Sequence, residues 1–205
     1  MRLNLGCGND IREGYTNVDF RELPGVDVVA DLSQFPWPFD DGSAEEILLL
    51  DFLEHFPYAM TQAILLECYR VLDANGKLVI QVPDGLHTTR ALIQEGDYDC
   101  NRCGSRMYRP ERDDGDGSGY AASNYPRCQK CGQSADEISE AANGRLYGGQ
   151  DYPGNFHHTC FTKTRLRLKA KTAGFKDMTD LSVADTEHLW KNWTIKMTFD
   201  KDDLW

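Results

Sequence analysis

The sequence has no long hydrophobic run, and this absence excludes a class of proteins. A helix that crosses a bilayer needs about 18 or more consecutive apolar residues, and no apolar stretch of this chain approaches that length. The N-terminal segment MRLNLGCGND turns polar and glycine-rich at once, unlike a signal peptide. We therefore expect a cytoplasmic protein without a membrane partner.

Basic charge is also scarce. The chain has 22 Lys and Arg against 33 Asp and Glu, a formal net charge of −11. This balance argues against broad electrostatic binding of a nucleic-acid backbone, although it leaves room for a local basic patch. The hydrophobic content of 40% over 205 residues is enough for the core of one domain, with or without a small insert.

The order of the apolar segments indicates an α/β fold. The run EEILLLDF at 45–52 is mostly apolar, as is typical of a central strand in a parallel sheet. Ile64, Cys68 and Val71 recur at helical spacing. Strand-like and helix-like segments then alternate, which favours a parallel sheet. The predicted strands are 2–6, 16–20, 27–32, 45–52, 77–83, 175–183 and 192–200, the predicted helices are 58–72, 84–95 and 162–174, and Asn75–Gly76 is a predicted turn.

The first connections between strands are short. Only about ten residues separate the first strand from the second, and fewer separate the second from the third, so a full crossover helix does not fit. We expect the ligand-binding half of the sheet to be minimal or to be completed by another chain.

A glycine turn follows the first strand, and an acidic residue ends the second. Gly6-Cys7-Gly8 is a G-x-G turn, in which glycine permits positive φ and a close approach of the backbone to a ligand. Asp19 is placed to accept hydrogen bonds from both hydroxyls of a ribose. Alone, G-x-G is also found in ordinary tight turns.

Six segments, two of which contain the glycine turn and Asp19, together give the pattern its specificity. LNLGCGN, NVD, ADL, FPWPFDDGS, LEH and ECYRVLDANGKLVIQVPD together resemble the class I methyltransferases that use S-adenosylmethionine (SAM). The closest likeness is to a small group of predicted methyltransferases with a short glycine–acid spacing. FHHTCFT at 156–162 resembles the stretch before the last two strands of that superfamily, so the likeness covers roughly 2–95 and 154–200. It implies a Rossmann-like, mostly parallel sheet of seven strands.

The resemblance assigns parts of SAM to parts of the chain. It implies that the glycine turn lines methionine and ribose, that the acid after the second strand holds the ribose, and that the residues after the third strand border the adenine. The end of the fourth strand would lie near the sulfonium. Where the family pattern has an acidic residue two before the first glycine, this chain has an amide. The implied cofactor residues are Asn4, Gly6, Cys7, Gly8, Asp19, Asp31, Leu32, Leu50 and Asp51.

Three histidines are candidate general bases. The methyl group of SAM is already activated, so the protein must mainly align an acceptor and exclude water. If the acceptor is a hydroxyl, a base helps, and histidine titrates near neutrality. His55 follows the fourth strand, and His157 and His158 precede the last helix. Packing or structural hydrogen bonding is the alternative role for each.

Two CxxC pairs lie in the second half of the chain. Cys100, Cys103, Cys128 and Cys131 have the ligand types and pairing of a tetrahedral zinc site, and four thiolates would make that zinc structural. An iron–sulfur cluster or a redox pair is the alternative. We predict a zinc ribbon at 97–136, inserted between the methyltransferase segments 1–96 and 137–205.

These patterns predict a methyltransferase acting on a hydroxyl or amine of a small or sugar-like acceptor. One alternative is a nucleic-acid or protein methyltransferase that uses the ribbon as its reader. Another is a non-catalytic binding module with the methyltransferase fold. Trp190, Trp193 and Trp205 are typical of core or of a homodimer contact, with a sugar-stacking platform as the alternative.

Overall fold

In the part of the chain that it describes, a computed structural model gives bounds for nine strands and two α-helices. It describes residues 1–86, 88–89, 107–108, 127–128, 130, 146–150, 152, 154–180 and 194–201. The α-helices are α1 (Thr61–Val71) and α2 (Lys163–Thr172). The strands are β1 (Arg2–Leu5), β2 (Thr16–Asp19), β3 (Val28–Val29), β4 (Ala44–Leu50), β5 (Leu72–Pro83), β6 (Met107–Tyr108), β7 (Arg127–Cys128), β8 (Phe175–Asp180) and β9 (Thr194–Lys201).

Seven strands form one sheet in the order β3-β2-β1-β4-β5-β9-β8. The first five are mutually parallel, and β9 runs antiparallel to both β5 and β8. The predicted seven-stranded, mostly parallel α/β sheet is thus confirmed. The strand order reverses direction between β1 and β4, and ligands of open α/β sheets bind beyond the carboxyl ends of the strands at such a point.

The short first crossovers contain no helix. Residues 6–15 and 20–27 are described throughout and consist of turns and extended chain. This agrees with the prediction made from their length. As a result, loops rather than helices follow the carboxyl ends of β1 and β2.

The two helices pack on the sheet through narrow apolar faces. In α1 the buried side chains include Ile64, Leu65 and Cys68. In α2 they are Leu166 and Ala170, and the Thr162 hydroxyl caps the helix by accepting a hydrogen bond from the Arg165 amide at 3.3 Å. These contacts join the helices to one hydrophobic core that extends under the whole sheet.

The predicted turn at Asn75–Gly76 requires a correction, because it lies inside β5 instead of before it. Leu72 pairs with Ala44, but Lys77 already pairs with Glu46, so five residues of β5 advance against two of β4. The turn signal therefore marks an irregularity within the strand. The Asn75 amide donates to Asp73 Oδ1 at 2.9 Å, which is the local bond expected of such a bend.

Several predictions lie wholly or partly outside the described residues. Most of the segment 97–136 is among them, with Cys100, Cys103 and Cys131, as are Trp190, Trp193, Trp205 and the last part of the helix predicted at 84–95. Within the described part of that segment, β6 and β7 pair antiparallel, with Met107 opposite Cys128. None of the helices in the described part of the chain has the length and hydrophobicity needed to span a bilayer.

Candidate active site

A cavity of about 410 Å³ opens beyond the carboxyl ends of β1, β2 and β4. Its volume falls within the usual range for small-molecule sites, and it lies where the topology predicts. Eight of the nine implied cofactor residues line it. The lining residues are Gly6, Cys7, Gly8, Asn9, Asp10, Asp19, Phe20, Arg21, Ala30, Asp31, Leu32, Leu50, Asp51, Phe52, His55, Phe56, Tyr152 and Gly154.

The glycine turn has the backbone that its sequence predicts. Gly6 and Gly8 have φ of 67° and 52°, values that side chains rarely allow. A Cβ at Gly6 would lie 2.1 Å from Cδ2 of the buried Phe52 ring. The amide of Cys7 donates to the Val18 carbonyl at 3.0 Å, which ties the turn to β2. The floor of the cavity is therefore bare backbone over an aromatic ring.

Burial mainly, and the nearby Asp19 carboxylate as well, raise the pKa of the Cys7 thiol to about 11. Cys7 is thus held as a neutral thiol at neutral pH and is not an activated nucleophile.

Asp19 is buried at the centre of this arrangement. Its Oδ2 accepts from the Gly8 amide at 2.9 Å, and its Oδ1 accepts from the Arg21 amide and from Arg21 Nε at 2.9 and 3.0 Å. Burial raises the pKa of Asp19, but the hydrogen bonds from Arg21 and Gly8 outweigh it and leave the pKa below its usual value. The carboxylate is therefore ionised throughout the neutral range.

Arg21 forms a part of the wall that the sequence analysis missed. Its guanidinium pairs with Asp19 and lies over the rings of Phe20 and Tyr152, at 5.4 and 4.6 Å from their centroids. The sequence signal that could have identified Arg21 is its position two residues after Asp19. Tyr152 had none, since it reaches the cavity from a loop distant in sequence.

Asn4 does not line the cavity. It is buried beneath the turn, where its Nδ2 donates to the Asp10 carbonyl at 2.7 Å and to Asn17 Oδ1 at 3.0 Å. In this structure Asn4 holds together the loop that follows the turn.

The carboxyl end of β4 has a strained backbone. Asp51 is a non-glycine residue with φ of 49°, and strain of this kind clusters at functional sites. Gln81 on β5 holds it from both sides: the Asp51 amide donates to the Gln81 carbonyl at 2.9 Å, and Gln81 Nε2 donates to Asp51 Oδ2 at 3.0 Å. Asp51 is thereby fixed at the cavity beside Leu50.

The loop after β3 also lines the cavity. The exposed Asp31 accepts from the amide and hydroxyl of Ser33 at 2.9 and 2.6 Å, and these hydrogen bonds lower its pKa. The neighbouring Leu32 is buried.

The three candidate bases have different surroundings. His55 lines the cavity, and its ring contacts that of His157 edge-on with a centroid separation of 4.8 Å. Burial lowers the pKa of His55, despite a contact of 3.2 Å between its Nδ1 and the Phe156 carbonyl. His158 is exposed, and its backbone amide donates to the Glu54 carbonyl at 2.7 Å. The structure thus brings His55 and His157 together and leaves the His158 side chain outside.

Comparisons with known proteins agree with this geometry. Residues 3–80 match a family model described as a methyltransferase domain. Among solved structures, the fold is similar to a Burkholderia thailandensis 1,6-didemethyltoxoflavin-N1-methyltransferase with bound 1,6-didemethyltoxoflavin and S-adenosylhomocysteine (15% identity, 98% of this chain and 70% of that one, TM-score 0.50). No curated protein matches the chain.

Two archaeal SAM-dependent methyltransferases are similar in the same way. The protein from Methanosarcina mazei has 14% identity, with 98% of this chain and 91% of that one covered and a TM-score of 0.51. The protein from Archaeoglobus fulgidus has 13% identity, coverage of 97% and 85%, and a TM-score of 0.52. At such low identity these likenesses show the fold.

The domain match over residues 3–80 and the fold shared with these structures support a SAM-dependent methyltransferase. Its fold is the class I, Rossmann-like one, and the matched domain ends within β5.

Proposed function

We propose that the enzyme transfers the methyl group of SAM to a hydroxyl or amine of a small or sugar-like acceptor. The observation that carries this proposal is one cavity lined by two kinds of group. The glycine turn and Asp19 are polar, whereas Phe52, His55 and Tyr152 are aromatic. The polar groups suit the ribose of a nucleoside cofactor, and the aromatic groups suit a ring of the acceptor.

The cofactor fits this cavity through the ionised Asp19. Its Oδ2 accepts from the Gly8 amide and its Oδ1 from Arg21, and a carboxylate oxygen can accept a further hydrogen bond from a ribose hydroxyl. Asp31 and Leu32 then stand at the adenine, and Leu50 and Asp51 at the sulfonium. His55 lines the same cavity and is therefore a candidate to contact the acceptor.

The size of the cavity favours a small acceptor. A cavity of about 410 Å³ that also holds SAM leaves room for a compact group or for the end of a larger one. Aromatic faces such as that of Tyr152 can stack on a ring, and the net charge of −11 disfavours a polyanionic acceptor.

The test is a methyl-transfer assay with isotopically labelled SAM and three acceptor pools. The pools are the dialysable fraction of a cell extract, total RNA and total protein. We expect label in the dialysable fraction and loss of that label with Asp19→Ala. Label only in RNA or protein would instead favour a nucleic-acid or protein methyltransferase that uses the ribbon to recognise its substrate. No label in any pool would favour a non-catalytic binding module.

We also propose that Cys100, Cys103, Cys128 and Cys131 bind one structural zinc ion in a ribbon at 97–136. The pairing of β6 with β7 supports it, because it brings the chain just after the first CxxC pair next to the start of the second. Such closed sites stabilise inserts that are too small for a core.

Elemental analysis of the purified protein is expected to find one zinc per chain and almost none in Cys100→Ser. The matched control is Cys160→Ser, since Cys160 is exposed and outside the pairs. Equal zinc contents in the two variants would contradict the ribbon.

A further inference from the structure

We propose that Glu54, His55 and His157 form a binding site for a divalent first-row transition-metal ion next to the cavity that His55 lines. One ligand atom from each residue lies within 4.8 Å of those of the other two. Two imidazole nitrogens and one carboxylate oxygen form a common ligand set for catalytic zinc and non-haem iron. In its role toward the acceptor, the proposal rests on the proposed function.

The backbone holds the two halves of this site together. Glu54 and His55 belong to a short 3-10 helix, Leu53–His55, which follows β4. The Glu54 carbonyl accepts from the amides of His158 and Thr159 at 2.7 and 3.2 Å. The Thr159 hydroxyl donates to the Phe56 carbonyl at 2.7 Å. These hydrogen bonds hold two segments about 100 positions apart in sequence side by side. A metal site built from both segments requires such a fixed arrangement.

The hydrogen bonding of the His55 ring leaves one of its nitrogens for ligation. Its Nδ1 lies 3.2 Å from the Phe156 carbonyl, an acceptor, so Nδ1 carries the proton in the bonded form. The Nε2 atom then keeps its lone pair for a metal ion. Ligating histidines commonly donate their other N–H to a backbone carbonyl in this way.

The three ligands differ in exposure. Glu54 is buried and His157 is half-buried, and His55 is the member of the set that lines the cavity. The site therefore adjoins the cavity through His55.

Three protein ligands leave at least one coordination position for the acceptor. An acceptor hydroxyl bound there would lose its proton to water more easily, because the ion stabilises the alkoxide. Its oxygen then forms a bond to the methyl carbon of SAM. The carbon–sulfur bond breaks with its electron pair remaining on sulfur, which gives the methyl ether and S-adenosylhomocysteine.

The test is a Co²⁺ titration, followed by visible absorption, of protein from which weakly bound metal has been removed by dialysis against a chelator. Nitrogen and oxygen ligation gives d–d bands without the sulfur-to-metal charge-transfer band of thiolate ligation, so this site is distinguishable from any cobalt in the ribbon. We expect one such Co²⁺ per chain. His157→Gln and Glu54→Gln should weaken its binding at least tenfold, whereas the neighbouring His158→Gln should leave it unchanged.

Absence of the non-thiolate bands in the wild type would overturn the proposal, as would equal Co²⁺ affinities of His157→Gln and His158→Gln. His157→Gln keeps the test decisive if Glu54→Gln does not fold. Titration with S-adenosylhomocysteine separates the two proposals. Cofactor binding without Co²⁺ binding would overturn only the metal site, and Co²⁺ binding without cofactor binding would overturn only the proposed function.

Discussion

Replacing Gly6 by alanine is expected to abolish cofactor binding and to lower the free energy of unfolding by about 2–5 kcal/mol. Part of this loss is backbone strain, because Gly6 has φ of 67°. The rest arises because the new Cβ would lie 2.1 Å from Phe52 Cδ2, and that ring is buried against Phe56. A loss of this size corresponds to a fall in Tm of roughly 4–20 °C in a protein of this length. Thermal unfolding and calorimetric titration with S-adenosylhomocysteine measure the two effects.

Two other glycines provide matched controls for Gly6→Ala. Gly42 has nearly the same φ, 66°, but the nearest atom to its added Cβ is 4.0 Å away, so Gly42→Ala isolates the strain. Gly8 has φ of 52°, and a Cβ added there would lie 3.5 Å from Arg21 Nη2, at the end of a flexible side chain. Gly8→Ala should therefore destabilise less than Gly6→Ala while still impairing cofactor binding. If Gly6→Ala were no less stable than Gly42→Ala, the contact with Phe52 would not constrain the turn.

Replacing Asp19 by alanine is expected to weaken the binding of S-adenosylhomocysteine about 100-fold or more. Hydrogen bonds to a charged group contribute about 1.5–3 kcal/mol each, and a ribose can make two. Because hydrogen bonds hold the pKa of Asp19 below its usual value, affinity should stay level through the neutral range. It should fall only when the pH drops below the ordinary titration range of aspartate. Calorimetric titration at several pH values checks both expectations.

Asp19 also anchors the Gly8 and Arg21 amides, so its loss could act through the loop alone. Arg21→Leu distinguishes the two explanations. Arg21 Nε donates a hydrogen bond to Asp19 Oδ1 and so uses one of the positions at which that oxygen can accept. If Asp19 binds ribose, removing the Arg21 guanidinium should preserve or strengthen ligand binding. A loss as large as that of Asp19→Ala would show that the pair acts as a loop anchor. Asp200→Asn, at an exposed position on β9 away from the cavity, should change nothing.

The parts of the fold and site that could be predicted from the sequence are those determined by residues close together in the chain. The G-x-G turn, Asp19 at the end of β2 and the Thr162 cap depend on backbone geometry within a few residues, which residue type reports directly. The seven-stranded sheet followed from alternating apolar segments. The roles of the cofactor residues stay predictions, although the structure places most of them around one cavity.

The parts that escaped prediction depend on tertiary contacts. Tyr152 reaches Arg21 from a loop more than 100 residues away, and no local pattern marks that meeting. Asn4 stands where the resemblance implied a cofactor contact, yet Asp10 and Asn17 satisfy its amide beneath the turn. Asn75–Gly76 carries a strong turn signal, but pairing on both sides absorbs it into β5. In each case tertiary contacts decide the role of a residue that the local sequence does not determine.

The helix-free crossovers after β1 and β2 bear on how quickly the spent cofactor leaves. Turns and extended chain at 6–15 and 20–27 stand where crossover helices would otherwise lie over the ligand. Loops of this kind move in nanoseconds to microseconds, whereas displacement of packed helices is slower. Dissociation of S-adenosylhomocysteine through this side therefore needs no slow opening step.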